Sequence, residues 1–308
     1  MPAWNELIND TRAVGSAHDV IRRKYLKRLH TLTKRNVITY YSGWLQKPEL
    51  TRERGITFGI SDADKNGFMS VIKGLDRKKG LDLILHTPGG DMAATESLVD
   101  YLHAMFGDDI RAIIPQLAMS GGTIMALASR EIVMGKQSSI GPIDPQFGSM
   151  AAVGLLQEFE RVRQEIQKDP SAILLWQPIL SKLEPGFITE CENAVAWSRE
   201  MAKRFLETNM FKGVKGKEEK IKQIISKLTD KKNTKSHGRH IGLDEAKEIF
   251  GEKIVLLEAD QHLQDAVLTV HHASIITLQA TTAFKIIENH TGRAFIQVAK
   301  VHLVATPG

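Results

Sequence analysis

The chain has 308 residues, 42% of them hydrophobic, which suffices for a real core in one large or two small domains of ordinary soluble composition. Its single cysteine, Cys191, excludes an intrachain disulfide and fits a reducing compartment. No run reaches the roughly 18 to 20 apolar residues of a membrane span, and the first residues lack a signal-peptide core, so a cytoplasmic location is expected.

The net charge of +5 is concentrated: residues 212–240 hold ten Lys or Arg against three acidic residues, an excess larger than that of the whole chain. The segment is poor in aromatics and carries no nucleic-acid motif. A solvated helix face and loop is the expectation, with nucleic acid not a partner.

In chain order, Ile21, Tyr25, Leu26, Leu29 and Leu32 recur at helical spacing and predict a basic helical arm over residues 1–35, of the kind that packs on a neighbour. Residues 36–44, NVITYYSGW, are rich in β-branched and aromatic side chains and predict the first strand. The stretch Asp62-Ala63-Asp64-Lys65-Asn66-Gly67 has the opening of a calcium loop. Its twelfth position, which must supply a bidentate acid, is Lys73, so Asp62 and Asp64 read instead as caps of a helix over residues 67–75.

The most informative stretch is residues 81–146. The apolar run 81–85 ends in Pro88-Gly89-Gly90, so a buried strand gives way to a turn with uncovered backbone N–H groups. Helical periodicity follows over 95–106 and stops at Gly107; residues 110–114 predict a strand, 118–122 a tight turn and 123–129 a buried helix. Ser120 therefore stands at a strand-to-helix corner. There a serine can present its hydroxyl to a cleft, with the N–H of Gly121 aimed at a developing oxyanion and that of Gly90 as second donor. A plain helix N-cap is the other reading of Ser-Gly-Gly.

Beyond this, residues 130–134 predict a strand and 138–146 a loop bordering the cleft. Residues 154–167 and 188–206 predict helices joined by a segment that carries Lys182, and 237–246 a polar turn leading into a short helix, with a strand at 253–257. Residues 258–288 read as mainly helical with a break near Ser274, and 305–308 as disordered. His271 and His272 are adjacent rather than at ligand spacing, and no cysteine pair exists, so neither metal nor cofactor is expected.

Three motifs, His86-Thr87-Pro88-Gly89-Gly90, Ala118-Met119-Ser120-Gly121-Gly122-Thr123 and Ile140-Gly141-Pro142-Ile143-Asp144-Pro145-Gln146, occur in this order. The chain thereby resembles the Clp protease proteolytic subunit and signal peptide peptidase A group, most closely the serine dehydrogenase proteinase family, over most of residues 36–296. The resemblance implies an α/β Clp/crotonase-like fold of repeated β-β-α units: an arm over 1–35, a core over 36–258 with a helical insertion at about 150–235, and a helical extension over 259–308. It implies a nucleophile at Ser120, an oxyanion hole at Gly90 and Gly121, a protein or peptide substrate and a homo-oligomer, with any partner ATPase unspecified.

The general base is less direct. Clp-type relatives carry a catalytic histidine near residue 144, and this chain has none there. Signal peptide peptidase A relatives use a lysine from the following segment, which points to Lys182, flanked by Leu180 and Leu183; Lys168, beside Asp169, is set aside. His237, where Clp-type relatives have the triad aspartate, ranks second. Two further classes stay open: an acyl-coenzyme A enzyme using the same paired N–H groups, and a silent scaffold of the same fold.

Overall fold

The computed structural model describes residues 16–53, 55–148, 150–230 and 236–299. Parts of three expectations lie outside these residues: the first fifteen residues of the arm, positions 231–235 of the basic segment, and the tail at 305–308.

Strands β1 (Asn36–Ser42), β2 (Leu81–His86), β3 (Ile110–Ile114), β5 (Glu131–Met134) and β10 (Ile254–Leu256) pair in parallel, and β11 (Ala283–Asn289) and β12 (Ala294–Val298) add antiparallel to β1. The resulting seven-stranded order is β10-β5-β3-β2-β1-β11-β12. Strands buried on both faces read as continuous apolar runs, and β2 is buried at all six positions. Its alternation divides the core: Leu81, Leu83 and Leu85 face one apolar cluster, Ile84 the other.

The first face is covered by α2 (Asp62–Ile72), α3 (Met92–Phe106), α4 (Gly121–Leu127) and α9 (Leu243–Phe250), which contribute Phe68, Leu98, Ile124 and Phe250. The second is covered by α1 (Ala17–Thr33) and α10 (Gln261–Ala280), which contribute Leu29 and Val267. Thus α1 packs within its own chain, and its buried Arg22 pairs with Glu288 of β11 at 2.8 Å. A small sheet, β4 (Leu117–Ala118), β6 (Ser139–Ile140) and β9 (Ile241–Gly242), stands beside the large one. Between the hairpin β7 (Gln146–Phe147), β8 (Met150–Ala151) and strand β9 the ordered elements are chiefly helices: α5 (Ala152–Lys168), α6 (Ile173–Leu180), α7 (Phe187–Phe205) and α8 (Lys217–Thr229). Among the described residues, no helix is long and apolar enough to cross a membrane.

The structure corrects two elements. Helix α2 begins at Asp62, so the calcium-like stretch is itself helical; Ser61 is its N-cap, with Asp64 completing a capping box. The C-terminal extension is not helical throughout. Helix α10 runs unbroken past Ser274, whose hydroxyl donates to Val270 O, and ends before Thr281 and Thr282, after which β11 enters the sheet beside β1. β-branched residues at that point favour an extended chain. Period-two alternation then puts Lys285 and Ile287 on one face, Ile286 and Glu288 on the other.

Candidate active site

Two turns meet at the carboxyl ends of the parallel strands. Residues 87–91 leave β2, and Met119 and Ser120 lead from β4 into α4. They are stitched together by Thr87, whose N–H donates to Leu117 O at 3.1 Å and whose carbonyl accepts from Met119 N at 3.0 Å. Ser120 is at φ 50°, ψ −115°, and shares a positive φ with only one other non-glycine residue among those described, Lys34. Such a conformation costs on the order of 1–3 kcal/mol and is the geometry of a sharp strand-to-helix elbow that lifts a serine hydroxyl out of the backbone. The plain N-cap reading is not what forms: Ser120 starts α4 with its carbonyl, which accepts from Ile124 N, while its side chain makes no capping bond. The residue is partly exposed.

The glycines are required by closeness. A Cβ on Gly89, at φ +94°, would sit 2.6 Å from Ser120 Cβ and 2.8 Å from Gly121 N. One on Gly90 would sit 2.1 Å from Ile60 N, because residue 60 pairs with this turn: Ile60 N donates to Gly89 O at 2.7 Å and Asp91 N to Ile60 O at 3.0 Å. That pairing uses the Gly89 carbonyl and the Asp91 N–H and leaves the Gly90 N–H out. Neither the Gly90 nor the Gly121 N–H donates to a backbone or side-chain acceptor among the described residues, and a Cβ on Gly121 would lie 3.4 Å from Gly90 N. Ser120, Gly90 and Gly121 are therefore brought together.

On the other side of Ser120 the small sheet carries a second pair. Ala118 pairs with Ile140 and Ile140 with Ile241. Four residues after Ile140 and four before Ile241, beyond the paired positions, His237 Nδ1 lies 3.0 Å from Asp144 Oδ1. Asp144 is 3% exposed and His237 26%, so the ring is anchored at one edge and open at the other. A carboxylate only accepts, so Nδ1 carries the hydrogen, and Nε2 of the neutral ring holds the lone pair. The Nε2 of Gln146 fixes Asp144 Oδ2 at 2.9 Å. Gly141, three residues before Asp144, lies against Met119 and exchanges hydrogen bonds with Thr123 at 3.0 Å in both directions. Ser120 Oγ and His237 make no direct hydrogen bond here.

Residues 16–255 match the family described as ClpP-like SDH-type serine proteinase. The chain belongs to that family. Two uncharacterised proteins of Methanocaldococcus jannaschii are similar to it. One is 30% identical over 211 residues, 68% of this chain and 64% of its own length; the other is 31% identical over 163 residues, 51% and 54% respectively. The chain spans less than two thirds of these relatives.

Within this ClpP-like chain Lys182 stands apart. It is exposed in the turn after α6, and Leu180 and Leu183 are only partly buried, so the apolar enclosure expected for it does not form. Helix α6 is held to α5 instead, with Trp176 Nε1 donating to Glu165 at 3.0 Å. No hydrogen bond or ion pair among the described residues ties Lys182 to the serine turn. Lys168 is exposed as well.

His86 of the first motif points away from Ser120. It is fully buried on the opposite face of the sheet among Tyr41, Trp44 and His271, with neither ring nitrogen hydrogen-bonded. Burial, with the His271 ring adding to it, pushes its pKa down to about 3. Sequence reasoning missed two things. It left Asp144 without a role, because its partner His237 lies 93 residues away in the chain and no local pattern links the two. It also missed the segment at residues 58–61 that braces Gly90, whose one sequence signal is a lysine inside the apolar run Ala283-Phe284-Lys285-Ile286-Ile287.

Proposed function

We propose that the protein is a serine peptidase, hydrolysing peptide bonds of a protein or peptide substrate through an acyl-enzyme on Ser120. The observation that carries this reading is the strained serine turn beside two backbone N–H groups, of Gly90 and Gly121, that have no acceptor among the described residues. Ser120 Oγ attacks the carbonyl carbon while its proton passes to Nε2 of His237, and Asp144, bonded to Nδ1, steadies the imidazolium that forms. The carbonyl oxygen, now negative, gains the Gly90 and Gly121 hydrogen bonds, each worth about 2.7 to 4 kcal/mol in the transition state. Collapse breaks the C–N bond, and the amine leaves with the proton held by His237. Water, deprotonated by the same ring, then attacks the ester and frees Ser120 and a carboxylic acid.

His237 takes the role for which the sequence favoured Lys182, because Lys182 lacks the burial a lysine base requires. The succession β3, β4, α4 supports reading the core as repeated β-β-α units of the Clp/crotonase-like type. Assembly into a homo-oligomer belongs to the same reading and rests on the family. A fluorophosphonate probe tests the chemistry: the wild-type protein is labelled covalently, and Ser120→Ala is not. Labelling of that variant at the wild-type rate refutes the nucleophile. A protein that resists labelling altogether favours the acyl-coenzyme A or scaffold alternatives.

A further inference from the structure

We propose that Lys285 is a positioning residue for the oxyanion hole, acting with Asp64 and Ser42 through the backbone of residues 58–61. The inference rests on the assignment of Gly90 as an oxyanion donor.

Gly90 cannot hold its own peptide in place. The turn at 87–91 is rich in glycine: Thr87 ties its start to the serine turn, and the short parallel pairing with Ile60 fixes the stretch from Gly89 to Asp91. The Ile60 segment has no sheet of its own. It is clamped from behind by three buried side chains on β1, β11 and α2. Ser42 Oγ donates to Phe58 O at 2.8 Å, Lys285 Nζ donates to Gly59 O at 2.8 Å, and Asp64 accepts from Ser61 N at 3.0 Å. Asp64 is in turn held by Lys285 Nζ, 2.9 Å from each carboxylate oxygen, and by the Tyr40 hydroxyl at 2.8 Å.

Lys285 is thus the centre of the clamp. Its side chain is 1% exposed and that of Asp64 is fully buried, so neither charge reaches water. Its three ammonium hydrogens match three acceptors, Gly59 O and the two Asp64 oxygens. Desolvation works against the buried ammonium and lowers its pKa, while Asp64 opposes that shift. A buried pair of this kind is costly and weak as a pure stabiliser, since apolar side chains of similar size commonly do as well. What an apolar pair could not supply is a directed donor to Gly59 O and a directed acceptor for Ser61 N. Those bonds orient the residue between them, and its N–H and C=O are the groups that grip Gly89 and Asp91. The fit is close: a Cβ on Gly59 would lie 3.1 Å from Gly90 Cα and 3.2 Å from Gly89 O.

A purely structural ion pair on the same strand supplies the control. Glu288 of β11 is as deeply buried, on the opposite face, and pairs with Arg22 away from the serine turn. The test uses the double variant Lys285→Met, Asp64→Asn, which leaves no lone buried charge, and the control Arg22→Met, Glu288→Gln. Both are compared with wild type in fluorophosphonate labelling, separating the maximal rate from the half-saturating concentration, with folding checked by circular dichroism. The expected result is at least a tenfold lower maximal rate for the Lys285 variant, an unchanged half-saturating concentration, and a wild-type rate for the control. Equal rates in all three, or equal slowing by the control, overturns the proposal. Should the double variant not fold, Ser42→Ala, which removes only the Phe58 bond, carries the test: about threefold slowing supports the clamp and a wild-type rate overturns it. Absence of labelling in the wild type removes the parent reading, and this one with it.

Discussion

Replacing Asp144 by asparagine changes one atom and probes the whole proton path. In the native chain its carboxylate accepts from two donors, His237 Nδ1 at 3.0 Å and Gln146 Nε2 at 2.9 Å. An amide offers one acceptor and one donor group. If its oxygen turns to Gln146, its NH2 faces Nδ1, the ring must carry its hydrogen on Nε2, and it can no longer accept the Ser120 proton. If Gln146 rotates to present its own oxygen, the tautomer survives, but the negative charge that stabilises the imidazolium is gone. Comparable changes in serine triads lower the rate about 10,000-fold, roughly 5.4 kcal/mol of transition-state stabilisation. The half-open His237 ring argues for the lower part of a range of about 1,000- to 10,000-fold. The assay is the fluorophosphonate labelling rate against pH, with thermal unfolding as the folding check. A wild-type rate and pH profile in folded Asp144→Asn would refute the dyad.

Four further outcomes are expected. Ser120→Gly abolishes labelling yet raises stability by about 1 kcal/mol, because glycine adopts φ 50° without strain; a lower melting temperature contradicts the strained elbow. Gly89→Ala drives a Cβ to within 2.6 Å of Ser120 Cβ at a positive φ, so labelling falls on the order of 100-fold; an unaffected rate dismisses the close contact of the two turns. Lys182→Ala labels like wild type, and its loss of labelling would return the base to that lysine. Acid destabilises the fold: burial lowers His86 to about 3 and His271 to about 4, so below the ordinary value near 6.5 the unfolded chain takes up protons that the folded chain refuses. Their contribution is complete above about pH 6.5 and is lost as pH falls toward those folded values, at about 1.4 kcal/mol per pH unit for each ring. Urea unfolding at pH 7 and pH 5 measures it, and a slope that His86→Leu leaves unchanged rules that histidine out.

The local sequence by itself determined the parts whose cause is local. A run such as Leu81 to Leu85, apolar at all but one position and ended by Pro-Gly-Gly, has few other structures open to it, and Ser-Gly-Gly between a strand and a buried helix makes a corner wherever it occurs. That is why Ser120, Gly90 and Gly121 are readable as candidates in the sequence. Tertiary structure decided what depends on distant partners. Whether residues 283–289 continue a helix or join a sheet turns on the open edge of β1, whose paired residues lie 243 to 251 positions earlier in the chain. Whether Lys182 is enclosed turns on how α6 lies on α5. Asp144 and His237 meet across 93 residues of chain, and the lysine at 285, which looks like a misplaced charge in an apolar strand, finds its acceptors 221 and 226 residues away. A buried charge is tolerated only where the fold supplies its counter-charge and hydrogen bonds, and that supply is a property of three-dimensional neighbours that no window of sequence contains.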